Sequence, residues 1–251
     1  MQLTASSSRI GWRERLQLAA QRVEGPAPER PSLSLLTREA SYLVSPLTRR
    51  LRRAPRAEKA RNPKIILMLP GFISTPVTLR YLAQNIERAG HKTKRWKLGF
   101  NTGPSPERIA FLEERLLEVR EYYGVKPILL GWSLGGLFAR ELAKRQPDAV
   151  SKVITLGSPF SGDPRANNAW RLYQFVTGHA VDNPPVGRDI HVKPPVETVA
   201  FWSPRDGVIA PRSARGKPEE RDREVSVRCT HMGYSYEHGA IEAVLQELQR
   251  D

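Results

Sequence analysis

Residues 126–141 read KPILLGWSLGGLFARE, an apolar run that ends in the pentapeptide Gly131-Trp132-Ser133-Leu134-Gly135 and passes directly into a helical pattern. Ile128, Leu129 and Leu130 form the short run of a strand buried on both faces, and Leu134, Leu137, Phe138 and Leu142 repeat with helical spacing. A serine at such a junction is expected at the apex of a sharp strand-to-helix turn, in backbone angles that are strained for any residue. Gly131 and Gly135 remove side chains that would collide there. With glycine and serine each at roughly 7% of residues, a chain this long contains the pentapeptide by chance about 0.1 times, so the context carries the reading. Ser133 is the expected nucleophile; the alternative is a glycine-rich strand end with a surface serine.

Outward from this junction, strand and helix patterns alternate from Pro63 onward. KIILMLP (64–70), HKTKRWKL (91–98), SKVITLGSP (151–159), VETVAFWSP (196–204) and EVSVRCT (224–230) read as strands. PVTLRYLAQNIERAG (76–90), SPERIAFLEERLLEVREYYG (105–124, with Ser105 as N-cap) and EHGAIEAVLQELQRD (237–251) read as helices. This alternation predicts an α/β fold with a parallel or mostly parallel central sheet and helices on both faces. The regularity stops over 160–195, which is rich in Pro, Gly and Asn and has one helical piece, NNAWRLYQFVTG (167–178). The expected organisation is a core of 63–159 and 196–251, a cap insertion of 160–195 over the carboxyl edge of the sheet, and a basic N-terminal extension of 1–62 with helical segments.

At 251 residues and 39% hydrophobic, the chain can bury one full-sized core without a second domain. The single cysteine, Cys229, excludes an intrachain disulfide framework. The first residues lack the continuous apolar run of a secretory signal, and no stretch approaches the ~20 apolar residues of a membrane span, so a cytoplasmic location is expected. A net charge of +14 favours anionic partners, and it is uneven: thirteen Lys and Arg face five Asp and Glu through Asn62, densest at Arg49, Arg50, Arg52, Arg53 and Arg56. No aromatic residues are interleaved with that cluster and no zinc-finger spacing occurs, so nucleic-acid binding is not expected. Ile10, Trp12, Leu16, Ala19 and Val23 share one helical face, which would either lie on an anionic membrane surface or pack against the chain's own core.

A serine hydroxyl is a poor nucleophile until a histidine takes its proton, and a carboxylate must hold that histidine in the right tautomer. In the α/β-hydrolases, whose nucleophile elbow this junction resembles, the acid and then the histidine follow the serine along the chain, each beyond a strand's carboxyl end. Asp206 stands immediately after VETVAFWSPR; Asp148, Asp163, Asp182, Asp189 and Asp222 lie in loops without a strand ending into them so directly. The alternative for Asp206 is a simple Asp-Gly turn. His91, His179 and His191 precede Asp206, which leaves His231, after EVSVRCT, and His238, at the start of the last helix. His231 is the expected base. The backbone N–H of Leu134 and, from the loop LPGFISTP, that of Phe72 beside Gly71 are the expected oxyanion donors.

With these residues placed, the chain resembles the α/β-hydrolase fold serine esterases and lipases. It is similar to bacterial lipase-like hydrolases in Pro70 to Phe72 (PGF), Gly131 to Gly136 (GWSLGG), Thr155 to Phe160 (TLGSPF), Ser203 to Val208 (SPRDGV) and His231 to Gly233 (HMG). The match runs from about Ile65 to the C-terminus, and it departs from the many lipases that begin the oxyanion loop with His-Gly where this chain has Pro70-Gly71. The resemblance implies an α/β-hydrolase fold, the triad Ser133, Asp206 and His231, and hydrolysis of esters through an acyl-enzyme with no cofactor and no metal. Asn101, on the loop LGFNTGPSP, and the cap residues Trp170, Tyr173 and Phe175 are candidate contacts for a small-molecule ester or lipid, with a structural turn as the commoner alternative for Asn101 and a cap-sealing role as the alternative for the aromatic residues. Acyl transfer and thioester cleavage use the same triad. A basic membrane-surface binding module built on this core is the non-enzymatic alternative.

Overall fold

The computed structural model describes residues 11–21, 28–43, 55–56, 58–187 and 189–250. Six strands form one sheet in which every neighbouring pair is parallel: β1 Ile65–Leu69, β2 Lys92–Arg95, β3 Ile128–Trp132, β4 Lys152–Leu156, β5 Glu197–Trp202 and β6 Arg223–Ser226, in the order β2-β1-β3-β4-β5-β6. Among the described residues the α-helices are α1 Trp12–Ala20, α2 Leu33–Arg38, α3 Arg80–Arg88, α4 Pro106–Tyr123, α5 Leu134–Arg145, α6 Trp170–Thr177, α7 Pro211–Arg215 and α8 His238–Leu248. β1, β3 and β4 are buried at every position, as a parallel sheet covered on both faces requires. Alternate residues supply the two cores. Ile66, Met68, Ile128, Leu130 and Trp132 pack with Leu82 and Ile86 of α3 and Ile241, Val244 and Leu245 of α8. Leu67, Leu69 and Leu129 pack with Ile109, Leu112 and Leu116 of α4 and Phe138 and Leu142 of α5.

The strand order places the site. The chain leaves β1 for β2 on one side and returns to β3 on the other, so the loops after β1 and β3 diverge and open a crevice at the carboxyl ends of the strands. The loop carrying Phe72 follows β1, and Ser133 follows β3.

Three expectations differ in detail. The second strand is four residues, not eight: KTKR forms the edge, where lysines discourage pairing with another sheet, while Trp96 beyond it is fully buried under α5 against Phe138. The last strand covers 223–226, shifted toward its N-terminal end, because Val227 to Thr230 turn in toward β5. Of the expected apolar face of the first helix, Ala19 alone among the described members is half-buried. α1 turns Arg15, Leu18 and Ala19 toward α6, with the Arg15 guanidinium donating to the Phe175 and Val176 carbonyls and the Gln174 amide to Leu18 O at 2.7 Å. Trp12 and Leu16 are left 65% and 47% exposed; Ile10, Val23 and the cluster Arg49, Arg50, Arg52, Arg53 lie outside the described residues. Among the described residues, no helix is long and apolar enough to cross a membrane.

At the opposite, amino-terminal edge of the sheet, the Lys152 ammonium is buried between Glu247 and Glu197, at 3.1 Å from each, and Arg223 also meets both carboxylates. Nothing in the sequence announced this network. Breaking a buried pair leaves an uncompensated charge. Glu247→Leu should therefore cost about 3 kcal/mol in chemical denaturation, near the low end for a buried pair because Glu197 remains beside Lys152.

Candidate active site

The elbow is dictated by how closely α5 crosses the strands. Ser133 stands between β3 and α5 with φ 54° and ψ −124°, a positive φ that side-chain-bearing residues rarely adopt. The turn is fixed by the Ser133 N–H donating to Leu156 O of β4 at 2.8 Å. A Cβ on Gly131 would fall 2.2 Å from Gly135 O, and one on Gly135 would fall 2.1 Å from Leu69 O. Both glycines are thus sterically compulsory, as the pentapeptide implied. Although Ser133 occupies the N-cap position of α5, its hydroxyl accepts no capping hydrogen bond. It forms no hydrogen bond to His231 or to any other described residue, and it is 9% exposed.

Asp206 and His231 are brought together. Both are buried, and Asp206 Oδ2 lies 2.8 Å from His231 Nδ1. The other carboxylate oxygen accepts from the N–H groups of Val208 and Ile209 at 2.9 and 2.8 Å, so Asp206 makes the turn and meets the histidine at once. Ser203 joins the two loops: its hydroxyl donates to Cys229 O and accepts from Cys229 N at 3.2 Å. On the histidine side, the Trp132 indole N–H donates to His231 O at 3.1 Å, and the two rings lie 5.4 Å apart. The residue preceding Ser133 is therefore in direct contact with His231. Burial disfavours the imidazolium, but the Asp206 carboxylate and, further off, that of Glu39 outweigh it and lift His231 above its ordinary 6.5. His238 sits instead at the start of α8, 3.4 Å from the Tyr81 hydroxyl.

Glu39 is the residue that the sequence did not disclose. Its Oε1 accepts from Gly207 N at 2.9 Å and His231 N at 2.7 Å, and its Oε2 accepts from Met232 N at 2.9 Å. It lies in the segment expected to be an extension, and a lone glutamate at the end of a short helix carries no pattern.

The loop after β1 lies against the elbow, since a Cβ on Gly71 would approach the Trp132 ring at 2.8 Å and Ser133 Cβ at 3.1 Å. The Phe72 N–H makes no hydrogen bond among the described residues, and Leu134, as the first residue of α5, has no intrahelical acceptor for its N–H. Asn101 braces this loop. It is fully buried, its amide donates to Pro70 O at 2.8 Å, its carbonyl oxygen accepts from Gly103 N, and its backbone pairs with Ile73 and Ser74.

Beside Ser133 an apolar cavity encloses about 130 Å³, roughly ten times the ~10–15 Å³ that one water needs. Phe72, Leu134, Leu137, Trp170, Tyr173 and Ile209 are among its walls. Trp170 and Tyr173 thus line it; Phe175 does not, and is 37% exposed. Among the described residues, no group of three or more His, Cys, Asp or Glu side chains is placed to hold a metal ion.

The chain has the α/β-hydrolase fold: residues 65–183 match the family model for that fold, and its sheet is the six-stranded parallel core described above. Similar solved structures include a Bacillus licheniformis lipase (TM-score 0.55, 16% identity, 80% of this chain and 96% of that one) and a Paleococcus ferrophilus monoacylglycerol lipase (TM-score 0.52, 14% identity, 79% and 98%). A curated relative is the pimeloyl-[acyl-carrier protein] methyl ester esterase of Nitrosospira multiformis, 30% identical over 111 residues. The match spans less than half of either protein, 42% of this chain and 41% of that enzyme.

Gly131→Ala tests the elbow. The added methyl has nowhere to go but into the α5 backbone, so the variant should lose about 3 kcal/mol or fail to fold, as measured by thermal or urea unfolding.

Proposed function

We propose that the protein is a serine hydrolase that cleaves carboxylic esters of hydrophobic acyl groups through an acyl-enzyme. The single observation that carries this reading is a serine held at positive φ on a strand-to-helix elbow, one residue from a tryptophan that hydrogen-bonds the histidine of a buried Asp–His pair. The relatives are named as esterases and lipases, and ester hydrolysis is the chemistry they share.

In this reading Ser133 Oγ attacks the ester carbonyl carbon while His231 Nε2 takes its proton. Asp206 keeps the other ring nitrogen protonated and stabilises the imidazolium that forms. The oxyanion is held by the N–H groups of Phe72 and Leu134. Collapse releases the alcohol, which receives the proton from His231, and water then repeats the sequence on the acyl-enzyme. The cavity walls are mostly apolar, so they favour an aliphatic or aromatic acyl group over a charged one. A thiol or second alcohol in place of water would give the acyltransferase or thioesterase variant of the same chemistry, and product analysis with added acceptor alcohols separates them. Trp12 and Leu16, exposed beside Arg13, favour weak peripheral contact with an anionic membrane surface by a cytoplasmic enzyme, which vesicle sedimentation at rising salt would measure.

Incubation with a fluorophosphonate probe should label Ser133 alone, and Ser133→Ala should abolish both labelling and p-nitrophenyl ester turnover; turnover undiminished in Ser133→Ala would refute the reading. Asp206→Asn should lower kcat on the order of 10³–10⁴-fold. Because His231 must be neutral to act, kcat/KM should rise with pH along an acid limb whose midpoint lies above 6.5. Leu137→Trp, which fills the cavity, should depress turnover of octanoyl esters at least tenfold while sparing acetyl esters.

A further inference from the structure

We infer that Glu39, carried by the N-terminal segment, is a positioning residue for the Asp206–His231 pair: its carboxylate clamps the acid loop to the histidine loop through three backbone N–H groups. This rests on the serine-hydrolase reading and adds a part to it that lies outside the α/β core.

The segment is built to deliver that carboxylate. Ser32 caps α2, its hydroxyl accepting from Leu35 N at 3.4 Å, and Glu39 follows the six-residue helix directly. Before it, the Asn168 amide bridges Pro31 O at 3.0 Å and Gly207 O at 2.9 Å. After it, the Ser41 hydroxyl meets the Tyr236 hydroxyl at 2.9 Å, and the rings of Tyr42 and Tyr236 stand 5.7 Å apart. Gly207 admits the chain at this point: a Cβ there would fall 2.4 Å from Leu35 O and 2.7 Å from Leu36 N. The Asp-Gly pair after β5 is thus more than a turn. Asp206 serves the histidine, and Gly207 lets the strap lie flat on the loop.

A carboxylate at the carboxyl end of a helix is placed against the helix dipole, and its partial burial removes water from it. Three charge-assisted hydrogen bonds offset both penalties, and they go to two different loops. The N–H groups engaged belong to His231 itself, to its successor Met232, and to Gly207, the residue after the acid. Fixing those three backbone positions fixes the relative height of the two side chains, at the scale of an ångström on which general-base geometry depends. Glu39 is also a second negative charge near His231, after Asp206, and favours its imidazolium. The other titratable groups around His231 are Cys229 and Tyr234, both buried, and Glu237, which accepts from Thr230.

The test uses the full chain with Glu39→Gln, which is isosteric and keeps the segment's packing, and Glu39→Ala. His231 is titrated by NMR with labelled histidine, and the rate of fluorophosphonate labelling of Ser133 is measured alongside. Both variants should titrate His231 at lower pH than the wild type, with labelling and kcat reduced on the order of 10- to 100-fold and KM changed less than twofold. A role confined to holding the fold together would lower the melting temperature and leave the His231 midpoint in place. Unchanged labelling rates and an unchanged midpoint in both variants would overturn the inference. If wild-type Ser133 fails to react at all while the Glu39 variants still shift His231, the clamp stands and the hydrolase reading falls.

Discussion

The close crossing of α5 over β1 and β3 is the constraint on which the rest of the site depends. That helix can pass within van der Waals distance of the Leu69 and Gly131 backbone only because two positions lack side chains, and the same crossing forces Ser133 into a positive φ. The strain is offset by the fully buried strands on either side, which hydrogen-bond in register along β1, β3 and β4. A serine so placed cannot turn inward, and its hydroxyl is left without a capping duty. Everything proposed for its chemistry follows from a backbone geometry that apolar packing pays for elsewhere.

Much of this was legible because the signals are local. The pattern ILLGWSLGG encodes strand, turn and helix within nine residues, and the apolar runs of β1, β4 and β5 announce two-sided burial by composition alone. Order along the chain, together with position directly beyond a strand, singled out Asp206 and His231, which the structure places 2.8 Å apart. Asn101 was harder. Its position after the second strand pointed toward the cleft, but loop direction depends on backbone pairing with Ile73 and Ser74 and on side-chain bonds to Pro70 and Gly103 that no period reveals, and the last two occupy both ends of its amide. The face of α1 was misread for a related reason. A tryptophan and a leucine set the expected stripe, yet the cap offers carbonyl oxygens that Arg15 satisfies, so polar partners chose the orientation. Glu39 and the Lys152 network stayed hidden because each joins residues far apart in sequence, and a charge carries no mark of its future partner.

The N-terminal segment emerges as more than an appendage. One part rests on α6 through α1, and another crosses the loops after β5 and β6, so described residues of this one segment touch both a helix that walls the cavity and the loop of the histidine. This couples α6, which supplies walls of the apolar cavity, to the loops that carry the proposed acid and base. Such coupling has a physical basis in shared contacts, with Asn168 of the cap bonding the N-terminal chain and the acid loop through a single amide.

Cys229 lies at the seam where these loops meet. Its thiol is buried, its backbone is tied to Ser203, and burial together with the nearby carboxylates of Glu237, Asp206 and Glu39 keeps it protonated far above its ordinary range. As the sole sulfhydryl of the chain, it is a built-in gauge of breathing at the seam. A reagent that captures only thiolates reaches it when the two loops separate, and the capture rate then counts those excursions without any label having been introduced.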